Sequence, residues 1–187
     1  NAQFVKHSYL AKENWNKVIE LHPYLSRAYY NLGNISYDLA EYSGRNKDQF
    51  YKEAAEYYEQ AIAIFPEYTN AYVNLGNVYA TLGIFILDAK TKEEAIKFFG
   101  EDKGTFFYQK SMEEKNEMAR EAFLLALKKH EKAYDLFHGE YASVADPTIL
   151  KSLGIDYHYL KDYKKAVEYF QEYLKRNPNA SDKDEIE

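Results

Sequence analysis

The chain has 187 residues, of which 46% are hydrophobic and 29% charged, with a mean hydropathy of −0.65 and a net charge of −6. This composition predicts a soluble, folded protein, and the negative charge argues against the basic surface that nucleic acid or an anionic membrane requires. The sequence contains no cysteine, which excludes disulfides, thiolate catalysis and cysteine-bound zinc. Cytoplasm and bacterial periplasm both stay open as compartments.

Short segments of the sequence repeat in chain order. The decapeptides AYYNLGNISY and AYVNLGNVYA begin at Ala28 and Ala71, and a third Leu-Gly pair lies in ILKSLGIDYHYL from Ile149. Two later segments, AAEYYEQAIAIFP from Ala54 and AVEYFQEYLKRNP from Ala166, share alanine and aromatic residues at helical spacing and end at proline. We therefore predict an array of units, each a helix, a turn and a second helix that proline ends.

These residues resemble the tetratricopeptide repeat, a 34-residue unit with an aromatic residue, Leu-Gly, tyrosine, an alanine and aromatic register, and a closing proline. The resemblance implies an all-α fold, a right-handed superhelical solenoid of antiparallel helix pairs whose concave surface is lined mainly by first helices. The predicted division is as follows: 1–25, the second helix of a truncated unit; 26–67, a unit with a nine-residue insertion; 68–133, a unit with a 31-residue helical insertion at about 84–114; 134–146, a linker; 147–180, a complete unit; and 181–187, an acidic tail.

The longer insertion is rich in apolar residues and is expected to have structure of its own. We place the second helix of this unit at Ala119, Phe123 and Ala126. A short helix over 91–99 is expected to break at Gly100 and Gly104, and one long helix of roughly 50 Å would then run from Phe106 to about His138 and project from the stack. The insertion is either a lid or docking surface for the groove, or an elaboration that packs on itself.

The resemblance also implies which side chains face the concave surface. Asn31 and Asn74 precede Leu-Gly pairs and are predicted to bind the backbone of an extended peptide, and Tyr30, Tyr37 and Tyr159 to supply aromatic contacts. A clamp for a terminal carboxylate is disfavoured, because Tyr30 stands at the place of its first lysine. Asp38 is the single acid among the groove positions. The predicted groove residues are Arg27, Tyr30, Asn31, Asn34, Tyr37, Asn70, Asn74, Asn77, Lys151, His158 and Tyr159.

Motifs that carry catalysis or bind cofactors are missing from the sequence. The phosphate loop, the dinucleotide-binding glycine motif and the nucleophile elbow do not occur, and the five histidines have no metal-ligand spacing. Each histidine is therefore interpreted as a surface or interface residue. We expect no enzyme activity, no cofactor and no metal site.

These features favour a non-catalytic protein–protein interaction module that binds a partner peptide or helix in a concave groove. Two alternatives stay open. The chain begins at Asn1 within a unit, so it is expected to be a fragment of a larger array. It could be the soluble scaffold or regulatory region of a larger membrane-associated or enzymatic protein. It could also self-associate into a homo-oligomer through exposed repeat ends.

Overall fold

The computed structural model describes residues 2–42, 44, 46–137 and 147–183, and within them the chain is all-α. Nine helices follow one another in these residues: α1 (Ala2–Leu21), α2 (Ser26–Tyr42), α3 (Lys47–Ile64), α4 (Thr69–Asp88), α5 (Lys92–Phe99), α6 (Glu101–Tyr108), α7 (Met112–Phe137), α8 (Thr148–Tyr159) and α9 (Tyr163–Arg176).

The helices form a solenoid of antiparallel pairs. Helix α2 pairs with α3, α4 with α7, and α8 with α9, while α1 packs on α2. Contacts of α3 with α4 and of α7 with α8 join successive pairs. The first helices α2, α4 and α8 therefore run side by side in the same direction and together form one face of the array. The all-α solenoid predicted from the repeats is confirmed, whereas the predicted boundaries of the units, apart from those next to α7, stay a prediction.

Glycines of the Leu-Gly pairs allow the two helices of a pair to approach closely. A Cβ atom on Gly33 would lie 2.5 Å from Cε1 of Tyr58, and one on Gly154 would lie 2.5 Å from Cε1 of Phe170. Any side chain at these positions would overlap the ring that packs there. The ring opposite the glycine thus marks the register of the second helix in each pair.

In the α4–α7 pair the ring opposite Gly76 is that of His130. His130 is fully buried, as are Ala126 four residues before it and Ala133 three residues after it. The predicted register at Ala119, Phe123 and Ala126 is therefore wrong by seven residues, because Phe123 packs against Gly83 rather than Gly76.

The shift of register moves the boundaries around α7. The segment inserted between the paired helices is seven residues longer than predicted. The predicted linker starts too early as well, because α7 continues to Phe137. The rest of that linker, residues 138–146, lies outside the described part of the chain.

Two capping boxes set where the helices of the insertion begin. The Thr91 hydroxyl accepts from the Glu94 N–H at 3.1 Å while the Glu94 carboxylate accepts from the Thr91 N–H at 3.0 Å, and α5 starts there. Ser111 and Glu114 make the same reciprocal pair at 3.2 and 2.8 Å. Helix α7 consequently begins at Met112, and the long helix predicted from Phe106 is wrong.

Helix α7 lies along α4 instead of projecting from the array. Its 26 residues span about 39 Å, and α4 is itself extended to 20 residues, or about 30 Å. The extended parts bury a core that includes Ile86, Phe107 and Phe123. Gly104 does not break a helix. It lies inside α6, where a Cβ would be 2.5 Å from Cα of Ile96, so its missing side chain lets α6 lie directly on α5.

Candidate binding groove

A polar cavity of about 360 Å³ opens on the face formed by the first helices. Helix α2 contributes three lining residues, helix α4 two, and helix α3 the ring at the base. We call it the asparagine cavity, and its lining residues are Asn34, Tyr37, Asp38, Tyr58, Asn74 and Asn77. Five of these six residues, all except Tyr58, are groove positions predicted from the repeats.

Hydrogen bonds join α2, α3 and α4 at the base of this cavity. The amide nitrogen of Asn74 donates to Asn34 Oδ1 at 2.9 Å and to the Tyr30 hydroxyl at 3.2 Å. The Tyr58 hydroxyl also donates to Asn34 Oδ1, at 2.8 Å. Burial raises the pKa of Tyr58 well above its ordinary value, so this hydroxyl stays protonated and keeps donating. We call Tyr30, Asn34, Tyr58 and Asn74 the first junction.

An equivalent set of contacts joins α4, α7 and α8. Asn77 Oδ1 lies 3.2 Å from His130 Nε2 and accepts from the Ser152 hydroxyl at 3.4 Å. His130 Nδ1 lies 2.5 Å from Asp156 Oδ2. We call Asn77, His130, Ser152 and Asp156 the second junction.

The His130–Asp156 pair is completely enclosed. Both side chains are about 1% exposed or less. Burial raises the pKa of Asp156, although the hydrogen bond with His130 opposes that shift. If Nε2 donates to Asn77, the pair holds one proton between Nδ1 and Oδ2. Among the described residues Asp156 Oδ1 has no hydrogen-bond partner.

The sequence did not reveal this pair. The histidines were interpreted as surface or interface residues, and His130 does lie at an interface between helices. Its signal was the spacing Ala126, His130, Ala133, which repeats the alanine and aromatic register with an imidazole in place of a benzene ring. The partner Asp156 carried no such signal, because only folding brings α8 to α7.

In the side chains of Asn34 and Asn77, the amide oxygen has hydrogen-bond partners within the described part of the chain and the NH₂ group does not. Asn34 Oδ1 accepts from Tyr58 and Asn74, and Asn77 Oδ1 is engaged by His130 and Ser152. With the proton of His130 on Nε2, these bonds place the oxygen of each side chain at its junction. The amide NH₂ groups of Asn34 and Asn77 are the ends that remain without a partner among the described residues.

The carboxyl-terminal edge of the cavity is acidic. Asp38 lines the cavity, and Glu41 follows it in the last turn of α2, where it accepts from the Tyr51 hydroxyl. Burial, and then the neighbouring Glu41, raise the pKa of Asp38. Burial also raises the pKa of Tyr37, whose hydroxyl bonds with the Thr81 side chain. Asp38 has no ion-pair partner among the described side chains.

The remaining predicted groove residues lie elsewhere on the face. Asn31 and Asn70 do not line the cavity. Lys151 forms an ion pair with Asp182, which lowers the pKa of that aspartate, so its charge is already paired. The Tyr159 ring stacks on Phe123 with 4.4 Å between centroids. Three predicted residues are exposed, Arg27, Asn70 and His158. Tyr30 adjoins the cavity through its hydrogen bond with Asn74.

The inserted hairpin α5–α6 stands beside the cavity and does not cover it. Phe98 of α5 stacks on Phe85 of α4 with centroids 3.6 Å apart, and the Asn46 N–H donates to the Lys97 carbonyl at 2.9 Å. A neighbouring cavity of about 400 Å³ lies between the hairpin and the ends of α2 and α4. No hairpin residue lines the asparagine cavity.

A larger and more open cavity of about 570 Å³ lies between α3 and α6. Its buried carboxylate, Asp48, already contacts Lys103 at 3.1 Å and Lys52 at 3.7 Å. Its buried carboxylate is thus already paired within the chain, and we place the candidate site in the asparagine cavity.

No cluster of three metal-ligating side chains occurs in the part of the chain that the structure describes. In the same part, no helix is both long and apolar enough to cross a membrane.

Stacked helix pairs with glycine-mediated contacts define a helical repeat protein. The sequence profile of the tetratricopeptide repeat matches residues 147–180, and a second TPR repeat profile matches residues 49–83. The first match is the α8–α9 pair, and the second runs from α3 into α4, where no insertion interrupts the pattern. The chain therefore contains tetratricopeptide repeats.

Three solved structures of repeat proteins are similar over most of the chain. One is YrrB, described as a TPR protein with an unusual peptide-binding site, at 20% identity, covering 94% of this chain and 80% of that one, with a TM-score of 0.35. Another is MamA, at 16% identity, 89% and 86% coverage and a TM-score of 0.32. The third is human IFIT1, solved as a dimer with PPP-AAAA, at 18% identity, 90% and 43% coverage and a TM-score of 0.39. No curated protein sequence matches the chain.

Proposed function

We propose that the chain is a non-catalytic protein-interaction module whose asparagine cavity binds the main-chain carbonyl groups of an extended partner segment. Tetratricopeptide repeats form a protein-interaction fold, and the match to their profiles supports the general role. The proposed location of the binding groove is based on the asparagine cavity.

The observation that carries the proposal is the state of Asn34 and Asn77. Their oxygens are occupied within the two junctions, so each side chain offers an amide NH₂ at the cavity. Every residue of an extended peptide presents a carbonyl acceptor, whatever its side chain. Two fixed donors on neighbouring parallel helices can therefore hold a backbone without reading its sequence.

The junctions also keep these donors in place before a partner arrives. Asn34 is held by two hydrogen bonds, and Asn77 is held by His130 and Ser152. A side chain that is already ordered loses little rotamer entropy on binding, which favours affinity.

Isosteric substitutions test the donors separately from the junctions. Asn34→Asp and Asn77→Asp keep an oxygen for the internal bonds and replace the NH₂ group with a second oxygen. We expect each to weaken binding of a fluorescent pool of uncharged, end-blocked octapeptides by about tenfold, measured by fluorescence polarisation. Asn31→Asp is the matched control, because it adds the same charge to α2 outside the cavity.

Side-chain amide signals give a direct readout of the same contact. In a ¹⁵N NMR titration with the peptide pool, the NH₂ resonances of Asn34 and Asn77 should shift, whereas that of the exposed Asn116 on α7 should not. Equal loss of affinity in all three aspartate variants, or shifts confined to residues outside the cavity, would contradict the proposal.

Self-association is a second candidate, supported by apolar side chains at the start of the array. Helix α1 and the turn after it expose Leu10 by 56%, Leu21 by 76% and Tyr24 by 86%. A second copy packing on this face would remove that apolar surface from water. Light scattering after size exclusion should then show dimers that Leu21→Glu and Tyr24→Glu dissociate, and a strict monomer at all concentrations would contradict it.

A further inference from the structure

The asparagine cavity carries a charge that the chain itself does not neutralise. Asp38 is the single charged residue of its lining, and no lysine, arginine or histidine among the described residues forms an ion pair with it. The rings of Tyr37 and Tyr58 line the same cavity. A carboxylate next to aromatic rings is a combination that favours a cationic side chain.

The surroundings of the cavity have the same polarity. Helix α2 ends beside Asp38, and its carboxyl end carries the negative end of the backbone dipole. The last turn of α2 contains no basic residue and holds Glu41. A cation supplied from outside would offset this negative charge.

The lysines of the neighbouring cavity do not fill this role. Lys47 and Lys97 line the neighbouring cavity, which they share with three acids, Glu41, Asp88 and Glu94. Neither lysine lines the asparagine cavity. The raised pKa of Asp38 agrees with a carboxylate that lacks a compensating positive charge.

We infer that the asparagine cavity selects partner segments that carry a lysine or arginine beside the bound backbone, with Asp38 as the counter-charge. This inference rests on the proposed function, since Asn34 and Asn77 would hold the backbone while Asp38 reads one side chain. The aliphatic stem of the cationic residue lies against Tyr37, and its charged end reaches Asp38. Selectivity thus comes from one position on an otherwise sequence-independent groove.

Four end-blocked, fluorescent octapeptide pools test this selectivity. Their central residue is fixed as lysine, arginine, norleucine or glutamate, and the other positions are uncharged. The lysine and arginine pools should bind wild-type protein about fivefold more tightly than the norleucine pool, and the glutamate pool should bind most weakly. The preference should shrink as NaCl is raised, because part of the pair is exposed to solvent.

Substitutions of Asp38 assign the preference to this residue. Asp38→Asn should bring the lysine and norleucine pools to equal affinity, and Asp38→Lys should reverse the order in favour of the glutamate pool. Glu117→Gln, at an exposed position of α7, is the matched control and should leave the order unchanged. Far-UV circular dichroism of each variant checks that the helices are retained.

The outcomes separate this inference from the proposed function. If the pools bind, and Asn34→Asp weakens them, but lysine and norleucine bind equally to wild-type protein, then the inference is overturned and the backbone-binding groove stands. A lysine preference that survives in Asp38→Asn overturns it as well. If no pool binds, both proposals fail together.

Discussion

The first and second junctions have the same arrangement of contacts but use different ring residues. In each, a ring packs on the glycine of a Leu-Gly pair and bonds with an asparagine one residue after it, and a polar residue of the next first helix bonds with that asparagine. The first junction uses the neutral hydroxyl of Tyr58. The second uses His130, which brings the buried Asp156 with it.

This difference shows that the second junction can hold a buried histidine because Asp156 provides a hydrogen-bond partner for its second ring nitrogen. A tyrosine is satisfied by the asparagine network alone. An imidazole has a second nitrogen that must also find a partner, and Asp156 is that partner. The carboxylate in turn keeps one oxygen without a bond, so the second junction depends more strongly on its members than the first.

The largest contrast should come from replacing each ring residue by phenylalanine. His130→Phe copies Phe170 of the last pair but leaves Asp156 buried without a hydrogen bond, and it should lower the free energy of unfolding by about 3–5 kcal/mol. Tyr58→Phe removes one hydroxyl and should cost about 1 kcal/mol. Urea denaturation followed by circular dichroism at pH 7 measures both.

A double variant checks the cause of that loss. Adding Asp156→Leu to His130→Phe removes the unpaired carboxylate and should recover most of the stability. Equal costs for His130→Phe and Tyr58→Phe would show that the pair stabilises the second junction no more than a single hydroxyl stabilises the first.

Alanine at the glycines should produce a smaller contrast. Alanine favours a helix over glycine by about 1 kcal/mol, but its Cβ would overlap Tyr58 in Gly33→Ala and His130 in Gly76→Ala. We expect both variants to lose about 1–3 kcal/mol. Gly76→Ala should lose about 1 kcal/mol more, because moving His130 also strains its hydrogen bonds.

A surface position supplies the reference for helix propensity. Asn116→Ala, on the exposed side of α7, changes propensity without any contact and should stabilise slightly. If Gly76→Ala proved as stable as Asn116→Ala in urea denaturation, the close approach of α4 and α7 would not constrain this position.

The smallest contrast should be a dependence on pH that only the second junction shows. Burial raises the folded-state pKa of Asp156 above its value of about 3.9 in an unfolded chain. The folded state therefore holds this proton more tightly, and the stabilisation present below that value is lost as pH rises through the raised pKa. Relative to Asp156→Asn, the wild-type protein should lose stability as the pH rises above about 4, through the raised pKa of Asp156.

Tyr58→Phe is the comparison for this measurement. The pKa of Tyr58 is raised from a value that is already about 10, so the difference between wild type and this variant should be constant over the same range. A constant difference for Asp156→Asn as well would mean that the carboxyl keeps one protonation state throughout.

The repeat motif was sufficient to predict the fold, because its residues make contacts between the two helices of one unit. Leu-Gly pairs, alanines and prolines predicted which helices pair, and the structure has these pairs. The register of α7 failed because Ala119, Phe123 and Ala126 satisfy the same spacing as Ala126, His130 and Ala133, and both sets are buried. Only the contact with Gly76 distinguishes them, and such a contact belongs to the folded chain.

The lining of the asparagine cavity was predicted in outline, whereas its hydrogen bonds were not. The sequence placed Asn34, Tyr37, Asn74 and Asn77 together, and the structure brings them to one cavity. The end of each asparagine side chain that is left without a partner depends on hydrogen bonds to α3, α4, α7 and α8. Those bonds join residues up to 75 positions apart, and no local pattern encodes them.

The lengthened α4–α7 pair shows how residues can be inserted into a paired helix without changing which of its faces packs on the partner helix. Seven residues turn an α-helix by about 700°, which is within about 20° of two full rotations. Phe123 and His130 are seven positions apart and consequently point in the same direction, toward Gly83 and Gly76. An insertion of five residues would instead point its rings away from α4. Growth in steps of two turns keeps the angular phase of the helix, so a central unit can widen while its neighbours stack unchanged.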